Sequence, residues 1–537
     1  MGYGAGAPHR GTNVPIMRHQ KLDLRAALAV AIGVIVTVSC GDDTTSADDG
    51  GMTTVPASSS ITNATNDDSA TSNGSNGDVV DEDTGEKLDE GVGGSGGVPA
   101  CVTDSSCNLI DVLFVIDNSG TMGEEQLNLA ANFPLLVERL QNLTDIEGNQ
   151  INPNVNIMVT TTDFGHPLCT TFQAPDYQPR KGAPVYQGCN TRINRFTGLA
   201  PSNEDPLVIE EACTQNCPVD IAPGDQFLHF DVQGSNVPND DVAAALSCIG
   251  PQGIDGCGYE SPLETMLQAL NEQACWNNPD QENCESHPEF SNFNSGFLRD
   301  DAVLAVAIVT DEVDCSVKAP EGYTYFTNPM DSTYWNLNPD LEVPQATSAV
   351  CWNAGVNCVD DNDDGVYESC DSQINPALHD VDRYTDYLDY LVQDRGKEVV
   401  MLGILGVPPV TAHNQSPPFE PTAGGVIDLV YRDWINGQYP AGDILPVEWA
   451  EGVDVDDKRF DFGTVGPGCT GTDDLGGFTG QAIPPVRVKE VCEHLNGVDE
   501  KGNERIRCCI ESICDTDFSD AISCLTGIIQ TSLVPTG

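Results

Sequence analysis

Residues 109–116, Leu-Ile-Asp-Val-Leu-Phe-Val-Ile, form an almost unbroken apolar run rich in β-branched side chains. A strand apolar on both faces belongs in the middle of a covered, parallel sheet. Val155 to Thr162, Ala302 to Thr310 and Val399 to Gly406 repeat the pattern at strand length. Between these runs the period changes to that of a helix. Leu127, Ala130, Ala131, Leu135, Leu136 and Leu140 share a stripe within 123–142, and Leu263, Met266, Leu267 and Leu270 share one within 262–275. Tyr384, Leu388 and Leu391 mark another helix, and shorter helices are expected near 486–495 and near 517–532, the last packed on the sheet edge. Strands alternating with helices specify an α/β fold built on a doubly wound, mostly parallel sheet.

The N-terminal region has a different texture. Residues 26–39, AALAVAIGVIVTVS, are apolar, follow Arg18, Lys21 and Arg25, and end at Cys40. A basic stretch, a short apolar stretch and small residues at its end make a secretion signal, too short for a mature membrane span. Initiation at Met17 would shorten its basic region. Residues 41–100 are polar and Gly/Ser/Thr-rich, with 13 acidic side chains set against Lys87 alone. Such a segment buries too little apolar surface to fold, and reads as a disordered acidic tether.

The segments 163–258, 312–378 and 407–485 are long for loops and hold most of the Cys, Pro and Gly. Loops of that length inside a domain need cross-links. Of the 21 cysteines, all but Cys40 fall between Cys101 and Cys524, and an even number in an exported chain points to disulfides. Proximity suggests Cys101–Cys107, Cys213–Cys217, Cys248–Cys257, Cys275–Cys284 and Cys358–Cys370. The spacings contain no paired C-x-x-C knuckles, which disfavours zinc. Residues 101–535 are therefore expected to be one α/β domain with disulfide-stapled insertions.

The formal charge of −60, with 23 basic and 83 acidic side chains, excludes a nucleic-acid partner and favours cations. Two acidic motifs stand out. After the first apolar strand comes Asp117-Asn118-Ser119-Gly120-Thr121-Met122, and after the third comes Thr310-Asp311-Glu312. The first resembles the D-x-S-x-S motif opening the metal-ion-dependent adhesion site of von Willebrand factor A domains, and Asp311 matches that family's second aspartate. The resemblance implies a Mg2+ site, or Ca2+ or Mn2+, held by Asp117, Ser119, Thr121 and Asp311. The family's third loop supplies a threonine; here Gly258-Tyr259-Glu260-Ser261-Pro262 leaves Glu260 or Ser261 for that place. It further implies an α/β sheet of that family's type and a protein partner that presents an acidic group to the cation.

A separate acidic motif runs from Asp360 to Asp371. Donors Asp360, Asn362, Asp364, Val366 (through its carbonyl), Glu368 and Asp371, with Gly365 at the sharp turn, have the spacing of a twelve-position Ca2+ loop. Thr37-Val38-Ser39-Cys40 resembles the lipobox of bacterial lipoproteins, which implies lipidation at Cys40 and attachment to the outer membrane or cell surface through that anchor only. Neither H-E-x-x-H nor a P-loop occurs, and no nucleophile, histidine and acid group together. His166, His229, His287, His379, His413 and His494 read as ordinary loop or helix residues. The expectation is a non-catalytic, cation-dependent adhesion protein of the cell envelope. The alternatives are an envelope lipoprotein whose cations only brace the fold, and, less favoured, a hydrolase.

Overall fold

Four strands lie where the apolar runs place them: β1 (Leu109–Ile116), β2 (Asn154–Thr161), β5 (Val303–Val309) and β6 (Val399–Leu405). Three more complete the sheet: β3 (Leu228–Asp231), β4 (Gly234–Ser235) and β7 (Cys508–Ser512). In this computed structural model the described residues are 108–533, apart from 146–147, 171–172, 175, 199–206, 220, 279–295, 435–454, 473–477 and 499–501. The secretion signal, the tether, Cys40 and the Cys101–Cys107 pair lie outside them. Strand order is β7-β6-β5-β1-β2-β3-β4. The five from β7 to β2 are parallel, and β3 and β4 close one edge as antiparallel strands.

Alternation along β1 divides its side chains between two helical layers. Ile110, Val112, Phe114 and Ile116 face α1 (Gly123–Gln141), α2 (Val242–Ile249) and α6 (Ser519–Ser532). Phe114 meets Phe133 of α1 edge-on at 5.4 Å. Leu113 and Val115 face α3 (Pro262–Ala269), α4 (Asp382–Asp389) and α5 (Val486–His494). The sheet is thus covered on both faces, as its all-apolar strands require. A third cluster lies within the insertions, where Val313, Phe326, Val350, Trp352 and Leu378 pack with Val465, Ile483 and Val486. The buried pair Arg487–Asp314, at 2.9 Å, ties it to α5.

Several expectations need correcting. Helix α3 stops at Ala269 rather than reaching residue 275, because Trp276 Nε1 and Asn277 Nδ2 both donate to the Ala269 carbonyl, at 2.9 and 2.8 Å. Helix α6 lies on a sheet face beside α1, not on the edge, and β7 takes that edge. The segment 163–258 is not wholly an insertion, since it supplies β3, β4 and α2.

The disulfides are mostly non-local. Cys358–Cys370 closes a hairpin as expected. Cys213, however, pairs with Cys189, Cys217 with Cys248, and Cys257 with Cys169. Cys213 and Cys217 are one helical turn apart, and each reaches a different segment packed beside that turn. Cys275 is disulfide-bonded, whereas Cys284 lies outside the described residues. Cys315–Cys351 staples the third cluster. Adjacent cysteines of β7 point to opposite faces: Cys508 bonds Cys492 of α5, and Cys509 bonds Cys524 of α6. Cys469–Cys514 anchors the chain just past β7.

Candidate metal centre

Register brings three strand ends level. Ile116, the last residue of β1, pairs with Thr161 of β2 and Val309 of β5. Asp117, Thr162 and Thr310 therefore leave the sheet side by side, at the carboxyl edge where parallel sheets gather ligands. The backbone is closed there: Asp117 N donates to Val309 O at 2.9 Å, and Thr162 N to Ile116 O at 3.2 Å.

Asp117 is fully buried. One carboxylate oxygen accepts the Ser119 amide at 2.7 Å, and the other accepts the Thr310 hydroxyl. The Ser119 and Thr121 hydroxyls lie 3.3 Å apart, with Gly120 and Thr121 exposed, so this side of the loop meets solvent. The Thr121 side chain also hydrogen-bonds Asp311, which is itself buried. Behind the loop, buried Gln126 of α1 donates to the carbonyls of Asp117 and Gly253, each at 2.8 Å. Its oxygen accepts the amides of Gln252 at 2.7 Å and Gly253 at 3.0 Å. Gly253 has φ +99°, a conformation a side chain would strain, and a Cβ there would meet Arg195 O at 2.5 Å.

The third loop distinguishes its two candidates. The Ser261 hydroxyl is engaged elsewhere, donating to Cys315 O at 2.7 Å. Glu260 is fully buried, accepts the Thr162 hydroxyl at 2.5 Å, and lies within side-chain hydrogen-bonding reach of Asp117. Its backbone is fixed by Cys315 N donating to its carbonyl at 2.6 Å. Asp163 braces a loop: it accepts Gly165 N at 2.7 Å, Gln173 Nε2 at 3.0 Å and the Tyr177 hydroxyl at 2.6 Å. Tyr177 in turn accepts from Asn118 Nδ2 at 2.9 Å, so this segment also props the Asp117 loop.

Acidic groups crowd this edge. Burial pushes the Asp117 carboxyl up to about 6. Burial, with the charge of Asp117, pushes Asp311 up to about 7. Glu260, Glu312 and Glu125 are raised well above the ordinary carboxylate range, first by burial and then by neighbouring acids. Three carboxylate oxygens, Glu260 Oε1, Asp311 Oδ1 and Glu125 Oε2, are buried without any hydrogen-bond donor. Buried carboxyl oxygens without partners either keep a proton or accept a cation, which would let them ionise. Among the described residues no three His, Cys, Asp or Glu side chains form a ready-made metal cage, so any shell here must mix carboxylates with the Ser119 and Thr121 hydroxyls and water. Nothing in the sequence signals that Thr162, Gln126, Tyr177 and Glu125 belong here, and Thr310 is visible only as part of its motif. Glu125 sits in the first turn of α1, and no spacing rule points to it.

The acidic loop is separate. It caps the hairpin Val356–Val359 with Ser369–Ser372. The Asp360 carboxylate accepts Gly365 N at 2.9 Å and Asp364 N at 3.2 Å, and backbone donors led by Gly365 hold it below the usual carboxylate range. Glu368 accepts Asp361 N at 2.9 Å and the Asn362 amide. Gly365 has φ +79°, as the sixth position of such a loop requires. Val366 bridges to Arg432. Asp371 stands opposite Asn357 on the strand, two pairs below the hairpin's mouth; of the proposed donor side chains only Asn362 and Glu368 meet, and Asp360, Asp364 and Glu368 do not gather into a metal cage.

Elsewhere, His413 is not an ordinary loop residue. It ends a short strand, and its Nε2 lies 3.0 Å from Glu511 of β7, in a cavity of about 180 Å³ also lined by Asp515, Asp520 and Phe518. Burial, helped by Asp515 and Asp520, pushes the Glu511 carboxyl up to about 8.

No protein-family model matches the chain, and no curated protein matches it.

Proposed function

We propose that residues 101–535 are a von Willebrand factor A-like domain that binds a divalent cation through Asp117, Ser119, Thr121, Asp311 and Glu260, and that the chain is a non-catalytic, cation-dependent binding protein of the cell envelope. The observation that carries the reading is the convergence of these residues, from three separate loops, on one sheet edge where carboxylate oxygens lack donors. A cation held there by Asp117, Asp311, Glu260 and the Ser119 and Thr121 hydroxyls would supply a Lewis-acidic charge, with the exposed Thr121 on the solvent side and Ser119 buried. The eight described disulfides are compatible with a location outside the cytoplasm. Attachment through lipidated Cys40 and the acidic tether completes the proposal. No described helix is long and apolar enough to cross a membrane.

Asp117→Ala and Asp311→Ala test it. Both residues are buried and hydrogen-bonded, so the melting temperature in chelator is measured alongside to show that each variant is folded. Calorimetric titration with Ca2+ and Mg2+ should show one binding event lost in each variant. Capture of partners from an envelope extract should fall to the level seen with chelator. Normal cation binding and normal capture in both variants would refute the adhesion mechanism.

A further inference from the structure

We infer that Glu260 is the cation's resident carboxylate, so that the chain completes its own site without an acid from a partner and favours calcium over magnesium. This rests on the cation reading above and departs from what the family resemblance implies, where that loop offers a hydroxyl and the partner offers the acid.

Glu260 has no other structural duty for its free oxygen. One oxygen is held by Thr162, the residue that follows β2, while Oε1 is buried with no donor. The side chain lies against Asp117, and two buried carboxyl groups at that range either share a proton or, once ionised, hold a cation between them. Its position is rigid. The Cys169–Cys257 disulfide pins the loop three residues upstream, Ser261 N donates to Thr162 O at 3.0 Å, and Cys315 N holds the Glu260 carbonyl. A side chain so placed cannot swing away to let a partner's carboxylate in.

Charge points the same way. Glu125 and Asp311 also present buried oxygens without donors, and Glu312 stands beside Asp311. Carboxyl groups of the chain itself therefore already crowd the place that an outside acid would take. Calcium accepts six to eight oxygens and several carboxylates, whereas magnesium demands a tight octahedron and keeps its waters. Three carboxylates, two hydroxyls and water at an edge made of three loops suit the larger, more tolerant ion.

The test uses the full chain carrying Asp360→Asn and Asp364→Asn, so that the acidic hairpin loop adds no heat. Calcium and magnesium chlorides are titrated separately, with no partner present. The parent should bind calcium about tenfold or more tighter than magnesium. Glu260→Gln, of the same shape, should weaken calcium about tenfold or more and leave magnesium nearly unchanged. Glu260→Thr should bring the two affinities together. Melting in chelator, unchanged or raised in Glu260→Gln, shows that the fold is intact. If Glu260→Gln binds calcium like the parent while Asp117→Ala does not, the inference is overturned and the cation site stands. If Asp117→Ala also binds normally, the cation reading itself falls.

Discussion

A buried acid whose proton affinity is raised by folding gives its two linked equilibria opposite signs. Asp117 and Asp311 take up protons in the metal-free fold at about 6 and about 7, well above the 3.8 of an exposed aspartate. Their contribution to stability is therefore full at low pH and is lost as pH rises through those values. A cation needs the same groups ionised, so its affinity must fall as pH drops through the same window. The expected result is a melting temperature in chelator that rises from pH 8 to pH 5 while calcium affinity declines. Because Asp515 and Asp255 also titrate near 6, the diagnostic quantity is the difference from Asp311→Asn. That variant should show a shallower rise. An equal slope in the two proteins would mean that Asp311 is not strained by burial.

Elements show where sequence legibility stops. The runs behind β1, β2, β5 and β6 are apolar on both faces, and nothing but a covered central strand accommodates them. Strand β7 escaped notice because Cys-Cys-Ile-Glu-Ser carries little aliphatic signal; its pairing comes from β6 alongside it. Asp117, Ser119, Thr121 and Asp311 were legible because they follow apolar strands directly. Thr162 and Gln126 were not, since only strand register and helix packing bring them to the edge. Cys358–Cys370 was legible because a hairpin closes it, whereas Cys169–Cys257 spans 88 residues and depends on the whole fold. Gln126 yields a prediction at this scale. Its amide satisfies four backbone groups joining α1, the Asp117 loop and residues 252–253. Gln126→Ala should cost on the order of 3 kcal/mol, as buried backbone groups lose partners, and should weaken cation binding because the loop loses its brace. Denaturant unfolding with the variant's midpoint unchanged would contradict this.

At the scale of the molecule, the sheet has two very different margins. The β4 margin ends in a two-residue strand, too short to recruit another chain. The β7 margin is longer, and β7 is fastened covalently to a helix on each face. An edge strand is ordinarily the piece most easily traded between neighbouring copies, because it can fray, meet another sheet and re-pair there. Here the tail from β7 through α6 is held to earlier chain by Cys492–Cys508 and Cys469–Cys514, so trading it would require opening those bonds first. Gel filtration of the oxidised protein should accordingly give one size at every concentration. Mild reduction should allow larger, concentration-dependent species, and their absence would show that pairing alone retains the strand. If the chain is held on a surface by the anchor proposed above, at local concentrations far above those in solution, the consequence is individuality: a frayed edge has only its own sheet to return to, and neighbours stay separate however closely they are packed.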